Sequence, residues 1–235
     1  MRLALHPAIC GWDIELMADY CRYMGVTDLF YQLHDVEGYK EGGFEDAGAL
    51  GRLAGAGLET LILFVLQPQS DELWKAVSAL YKSLVPRAEA AGVKIASHGH
   101  WCEGHLAYNR GTLQRIIDLA PEPANAICLC AGCFYQAGDD PTAIVRAMPD
   151  RIHCVHIRDT SLRGGCDLEE LPLGAGAVPI ANTIRALEDT RYNGLVIPEH
   201  LSTLRAQANM ETTHAHALGC IRGILDANES GAKSK

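Results

Sequence analysis

The sequence predicts an α/β protein, a (β/α) TIM-type barrel, on three observations. Short β-rich runs alternate with helical patterns along the chain, which implies parallel strands joined by right-handed crossovers. The 235 residues fall within the range of one such barrel, about 200 to 250 residues. No glycine-rich nucleotide loop follows the first strand, where His6-Pro7-Ala8-Ile9-Cys10-Gly11 stands instead, and this disfavours an open doubly wound sheet.

The elements follow in order. The first strand is Arg2 to His6. Helical spacing through Ile14, Met17, Cys21 and Met24 comes next, closed by Gly25. The second strand is Thr27 to Gln32, followed by a small-residue helix over 45–56. The third is Thr60 to Gln67. Ser70-Asp71-Glu72 then opens an amphipathic helix through Leu73, Val77, Leu80, Leu84 and Ala88, and Pro86 is expected to kink it. The fourth strand is Val93 to Ser97, before a helix over 110–119. The fifth is Ala126 to Cys130, and Asp140-Pro141 starts the next helix. The sixth is Ile152 to Ile157, followed by a Gly-rich loop and a helix from Ile180 to Leu187. The seventh is Leu195 to Pro198, and the last helix covers Thr212 to Leu225. Seven strands are clear where a closed barrel has eight. Residues 1–227 are read as a single barrel domain and 228–235 as a flexible polar tail.

Composition excludes several classes. Apolar residues make up 48%, too many for a disordered chain. A net charge of −9 argues against nonspecific nucleic-acid binding, which needs a basic face. The longest apolar stretch, Leu61 to Leu66, is six residues, where a membrane span needs about 20. The start of the chain lacks a signal-peptide pattern. A cytoplasmic protein is therefore expected, with its nine cysteines as reduced thiols. Such barrels are compatible with a homo-oligomer.

In either α/β architecture, ligands sit at the carboxyl ends of the strands. There the fourth strand offers His98, the fifth Cys130, the sixth His156 and the seventh Glu199. Imidazole, thiol, imidazole and carboxylate thus fall at matching heights on four successive strands. With neighbouring strands about 4.8 Å apart, four such side chains can converge on one ion. Pleating puts His98 and His100 on one face, so His100 is free to hold a substrate hydroxyl. Cys128, Cys130 and Cys133 have no second distant pair, and one strand cannot aim all three at one ion, which disfavours an iron–sulfur or structural zinc cluster. His105 falls in a loop without an assigned role. His214 and His216, two apart on the last helix, read as solvent-exposed. Tyr31, His34 and Asp35 end the second strand and could line the mouth.

The stretch from about Asn125 to Leu225 resembles the C-terminal half of mannonate dehydratase, a family of the xylose isomerase-like barrel superfamily. The resemblance lies in Ile127-Cys128-Leu129-Cys130-Ala131-Gly132, where the family has a Cys-x-Gly turn. It continues in Arg151-Ile152-His153-Cys154-Val155-His156-Ile157-Arg158-Asp159, near the family's Arg-Ile-His-x-x-His-x-Arg-Asn. It then runs through Pro198-Glu199-His200, near Pro-Asp-His, and the closing helix Ala217-Leu218-Gly219 to Gly223-Ile224-Leu225. Carried over by position, the metal ligands are His98, Cys130, His156 and Glu199, and the acid/base histidine is His200. Three departures stand out. The family is longer, its His-Pro-Asp-Asp-Pro-Pro segment is replaced by His98-Gly99-His100-Trp101, and its aspartate ligand is Glu199 here. The loop Gly174-Ala175-Gly176 is similar to that of the superfamily's isomerases.

The resemblance implies a divalent-metal-dependent lyase that dehydrates a sugar acid to a 2-keto-3-deoxy acid. His200 and Glu199 would be catalytic, and Arg158, His100 and Asp159 would bind substrate, Arg158 by paired hydrogen bonds to a carboxylate. The resemblance points to manganese. A thiolate ligand suits zinc or iron, and the residues alone do not separate the three. A metal-dependent sugar isomerase or epimerase is the alternative, and a noncatalytic sugar-binding barrel the second. The partner in each case is a small sugar or sugar acid, not a nucleic acid or a membrane.

Overall fold

The alternation read from the sequence is realised in a computed structural model, which describes residues 2–3, 18–19, 22, 28–33, 48–65, 69–167, 169–199 and 210–233. Seven strands occur among these residues: β1 (Arg2–Leu3), β2 (Asp28–Leu33), β3 (Thr60–Val65), β4 (Lys94–His98), β5 (Asn125–Cys130), β6 (Ile152–Ile157) and β7 (Leu195–Pro198). The helices are α1 (Ala49–Gly55), α2 (Asp71–Ala91), α3 (Arg110–Ile117), α4 (Ala131–Gln136), α5 (Pro141–Ala147), α6 (Ile180–Asp189) and α7 (Met210–Lys233). The chain groups into two compact units, Pro7–Cys128 and Met1–His6 with Leu129–Lys235. The helix expected over 14–24 lies largely outside the described residues.

In the first unit, β2, β3, β4 and the start of β5 pair in parallel, with Leu61 beside Ile95 and His98 beside Cys128. β5 is buried along its whole length. A strand covered on both faces reads as a continuous apolar run rather than an alternating one, which is why Ala126 to Cys130 was legible. Ser70 caps α2, its hydroxyl accepting from Leu73 N at 3.0 Å. The helix runs on through Pro86 to Ala91 and ends at Gly92, whose φ of 72° suits a left-handed cap. α3 is capped by Asn109 and Thr112 in a reciprocal box. The Asn125 amide donates to the carbonyls of Ile116, Ile117 and Ala120, closing the end of α3 onto the start of β5.

In the second unit, β1 pairs with β7 and β7 with β6, all parallel, with His156 beside Ile197 and Ile157 beside Pro198. The ladder continues one residue further, Glu199 N donating to Ile157 O at 2.9 Å. α6 and α5 meet through a buried Thr142–Thr183 hydroxyl contact. α7 stays helical to Lys233, past the Leu225 at which the last helix was expected to end. Asn228 explains it: its amide donates to Glu188 and its carbonyl accepts from Arg185, which ties the end of α7 to α6.

Cysteine chemistry also differs from expectation. Cys128, Cys130, Cys133, Cys154 and Cys220 are free thiols, but Cys102 and Cys166 are each disulfide-bonded. The expectation of nine thiols rested on compartment and count, and neither constrains an individual cysteine.

Candidate active site and metal centre

Three predicted residues meet in the second unit. β5 ends at Cys130, and α4 starts at the next residue. β6 brings His156, and the extended ladder beyond β7 brings Glu199. All three are buried, at 0%, 0% and 8% exposure. Glu199 stands between the others. Its Oε1 lies 3.1 Å from His156 Nδ1, and its Oε2 accepts from Cys130 Sγ at 3.4 Å. Burial pushes the Cys130 thiol well up, and Cys133 and the Glu199 carboxylate add to this against a smaller opposing pull from Arg158. Cys130 is therefore a proton donor to Glu199 as the site stands. Buried thiol, imidazole and carboxylate are donor types that a divalent metal takes, and an ion bound at Cys130 would displace the thiol proton.

Arg158 follows β6 and is completely buried. One guanidinium nitrogen donates to Glu169 O at 3.0 Å and another faces Cys133 Sγ at 3.6 Å. Burial works against its charge, and Cys133, Cys130, Glu199 and Glu170 outweigh burial, so the guanidinium is held more firmly charged than usual. Its stem lies on Gly132, where a Cβ would collide with Arg158 Cγ and meet the Arg158 carbonyl at 3.0 Å. This close approach is the reason for the glycine in the Cys-x-Gly turn.

Asp159 is 1% exposed. Its Oδ1 accepts from Thr160 N and Val178 N, and its Oδ2 from Gly174 N and Gly176 N at 2.9 and 3.0 Å. The carboxylate thus organises the Gly-rich loop from inside. Gly174 needs its φ of 91°, and a Cβ on Gly176 would strike the Asp159 carboxylate. The same loop is held from α7, because His216 Nε2 contacts Leu173 O at 3.1 Å. His216 is exposed, as expected, but bonded. Half-buried Glu169 was not anticipated. It accepts from Ser161 N, Ser161 Oγ and Thr160 Oγ1, and these bonds, the Ser161 hydroxyl first, draw its carboxyl below the ordinary range.

His98 and His100 belong to the first unit. His98 ends β4, is 4% exposed, and packs its ring 4.8 Å from that of Phe64. His100 is buried, with its N–H donating to Ala107 O at 2.7 Å. Trp101 stacks on its ring at 3.8 Å, and its Nδ1 lies 2.5 Å from His105 Nδ1. His105, given no role above, is therefore part of this cluster. Its only sequence signal was a third histidine close behind two others. His200, His34 and Asp35 lie outside the described residues, as does the side chain of Tyr31. No helix among the described residues is long and apolar enough to cross a membrane.

Known proteins bear on these observations. Residues 58–235 match the family model for D-mannonate dehydratase (UxuA). A mannonate dehydratase of Enterococcus faecalis is 36% identical over 181 residues, covering 70% of this chain and 50% of that protein. A D-tagatose 3-epimerase-like protein superposes with a TM-score of 0.73 at 14% identity, covering 99% of this chain and 100% of that one. The IOLI protein, solved with a bound zinc atom, gives a TM-score of 0.69 at 16% identity over 97% and 99% of the two chains. At such identities the likeness establishes the fold, which is the xylose isomerase-like (β/α) barrel. The chain spans about half the length of the curated relatives it matches.

Proposed function

The chain belongs to the D-mannonate dehydratase (UxuA) family, and from that premise we propose that it is a divalent-metal-dependent hydro-lyase that dehydrates a sugar acid to a 2-keto-3-deoxy acid. The observation behind this reading is the buried contact of Glu199 with both His156 and Cys130, inside the matched region. These three are the proposed metal ligands, and His98 is added from the family position. Manganese is the first choice on the family resemblance. The thiol donor and the zinc of the IOLI protein favour zinc or iron next. When bound, the ion would supply Lewis acidity to a substrate carboxylate and its neighbouring hydroxyl.

The protein groups divide the remaining work. His200 follows Glu199 in sequence and is proposed as the acid/base, moving a proton between the carbon beside the carboxylate and the leaving hydroxyl. Glu199 keeps its carboxylate out of water, where it can hold a cation or a proton. Arg158 places a fixed positive charge beside Cys130 and Glu199, which favours an acidic substrate. His100 is proposed to hold a substrate hydroxyl. Asp159 supports the substrate side indirectly, by fixing the loop after β6.

One observation favours the second reading, a sugar isomerase or epimerase. Arg158 already donates to Glu169 O and faces Cys133, which leaves fewer donors for a substrate carboxylate. A single comparison separates the two. The protein is assayed with D-mannonate and other aldonates for a 2-keto-3-deoxy product, and with neutral ketoses for epimers, each with and without chelator. Chelator-sensitive turnover of an aldonate, lost in Arg158→Gln, supports the dehydratase. Turnover of ketoses alone, retained in Arg158→Gln, replaces it with the epimerase. No turnover of either leaves the noncatalytic sugar-binding barrel.

A further inference from the structure

The loop after β4 is built around a pair of imidazoles. His100 Nδ1 and His105 Nδ1 lie 2.5 Å apart, with the rings at 88° and their centroids 3.9 Å apart. Two nitrogens on one tetrahedral metal, with metal–nitrogen bonds of about 2.0 Å, would stand about 3.3 Å apart. The pair is therefore a hydrogen bond and not a shared-ion site. In such a bond one Nδ1 carries the proton and the other accepts it, so the two neutral rings must take complementary tautomers.

The rest of the loop holds His105 in place for this bond. Gln69, just before the cap of α2, clamps the loop from outside. Its N–H donates to Gly104 O at 3.2 Å, and its amide donates to His105 O at 2.9 Å and Glu103 O at 3.3 Å. Gln69 is itself held by the Trp74 indole N–H, which donates to its carbonyl at 3.3 Å. Arg115 stacks over Trp74 at 3.8 Å. His105 N also donates to Cys102 O at 2.9 Å, tightening the turn. On the other side, the His100 ring is confined by Trp101 and by Phe64, whose centroid is 4.9 Å away. Burial disfavours the charged form of His105, which suits a neutral partner.

We propose that His105 is a positioning residue, which with Gln69 fixes the orientation and tautomer of His100, so that His100 Nε2 presents one defined hydrogen-bonding role to a substrate hydroxyl. This rests on the reading of His100 as a substrate contact. The orientation itself can be tested without turnover.

The experiment uses the full chain with 15N-labelled imidazoles, the His100 signals being assigned with His100→Gln. Long-range 15N–1H spectra report which ring nitrogen carries the proton. The parent should show His100 in one tautomer. His105→Phe should average its two nitrogen shifts, and His105→Asn, which keeps a hydrogen-bonding side chain, should restore a single form. Gln69→Ala, which touches His105 through its backbone carbonyl and leaves both rings in place, should produce part of the same averaging and serves if His105→Phe does not fold. His100 shifts unchanged in the variants would overturn the proposal. If aldonate turnover is established, His105→Phe should raise KM about tenfold with kcat nearly unchanged, the value of one directed hydrogen bond. An unchanged KM beside an averaged tautomer would overturn the link to substrate. An inactive parent with averaged shifts in the variant would sustain the positioning role and count against the dehydratase reading instead.

Discussion

Cys130 and Glu199 stand 69 residues apart in sequence, yet the thiol donates to the carboxylate at 3.4 Å. The same carboxylate meets His156 with its other oxygen. One buried carboxylate thus bridges a thiol and an imidazole at the strand ends, and this relationship sets most of the chemistry proposed for the molecule.

Metal uptake should release a proton from Cys130, because burial keeps the thiol protonated far above its usual range. Ligand thiols must be deprotonated to bind, so apparent affinity should rise with pH through the neutral and mildly alkaline range. Titration of zinc into the metal-free protein in a weakly buffered, indicator-containing solution checks this. In Cys130→Ser, the proton released per ion should fall by about one.

Gly132→Ala should destabilise the fold without touching a donor. The added Cβ meets the Arg158 stem and its carbonyl at 3.0 Å, and Arg158 cannot retreat because it is packed on all sides. Overpacking of this kind costs about 1–3 kcal/mol, read as a lower urea midpoint at unchanged slope.

Asp159→Asn keeps the shape of the side chain but turns one acceptor into a donor. Two of four backbone N–H groups would then face an amide instead of an oxygen. A loss of about 1–3 kcal/mol is expected, with faster hydrogen exchange at Gly174 and Gly176 before other loops respond.

Glu169 supplies a pH dependence of defined sign. Its hydrogen bonds from Ser161 and Thr160 lower its folded value relative to the unfolded chain. Its contribution is therefore complete above the ordinary glutamate range and fades as pH falls through the lowered one. The Ser161 amide should lose protection below about pH 4, after correction for the intrinsic exchange rate, and Glu169→Gln should exchange faster already at neutral pH.

The residues that were legible in the sequence share a physical reason. β7 is short and fully apolar, β6 interrupts its apolar residues only with His153 and His156, and the observed limits of both coincide with those predicted. Cys130, His156 and Glu199 follow from the rule that parallel strands present ligands at their carboxyl ends. What escaped depends on contacts between distant segments. Asp159 could be placed at a strand end, but its four backbone donors come from a loop whose path no local pattern specifies. The extension of α7 to Lys233 rests on Asn228 meeting α6. α4 was missed because it begins at Ala131, directly after β5, with no polar cap of the kind that marks other helix starts. His105 was passed over because a single loop histidine has no signature until its neighbour is known.

The most direct test is the metal content of protein purified without chelator, comparing the parent with Cys130→Ser and His156→Ala. The account predicts about one equivalent of manganese, zinc or iron in the parent, as a single three- or four-ligand site requires, and its loss in both variants with the fold retained by circular dichroism. A parent that holds none of these ions, and shows no thermal shift when each is added, would contradict it.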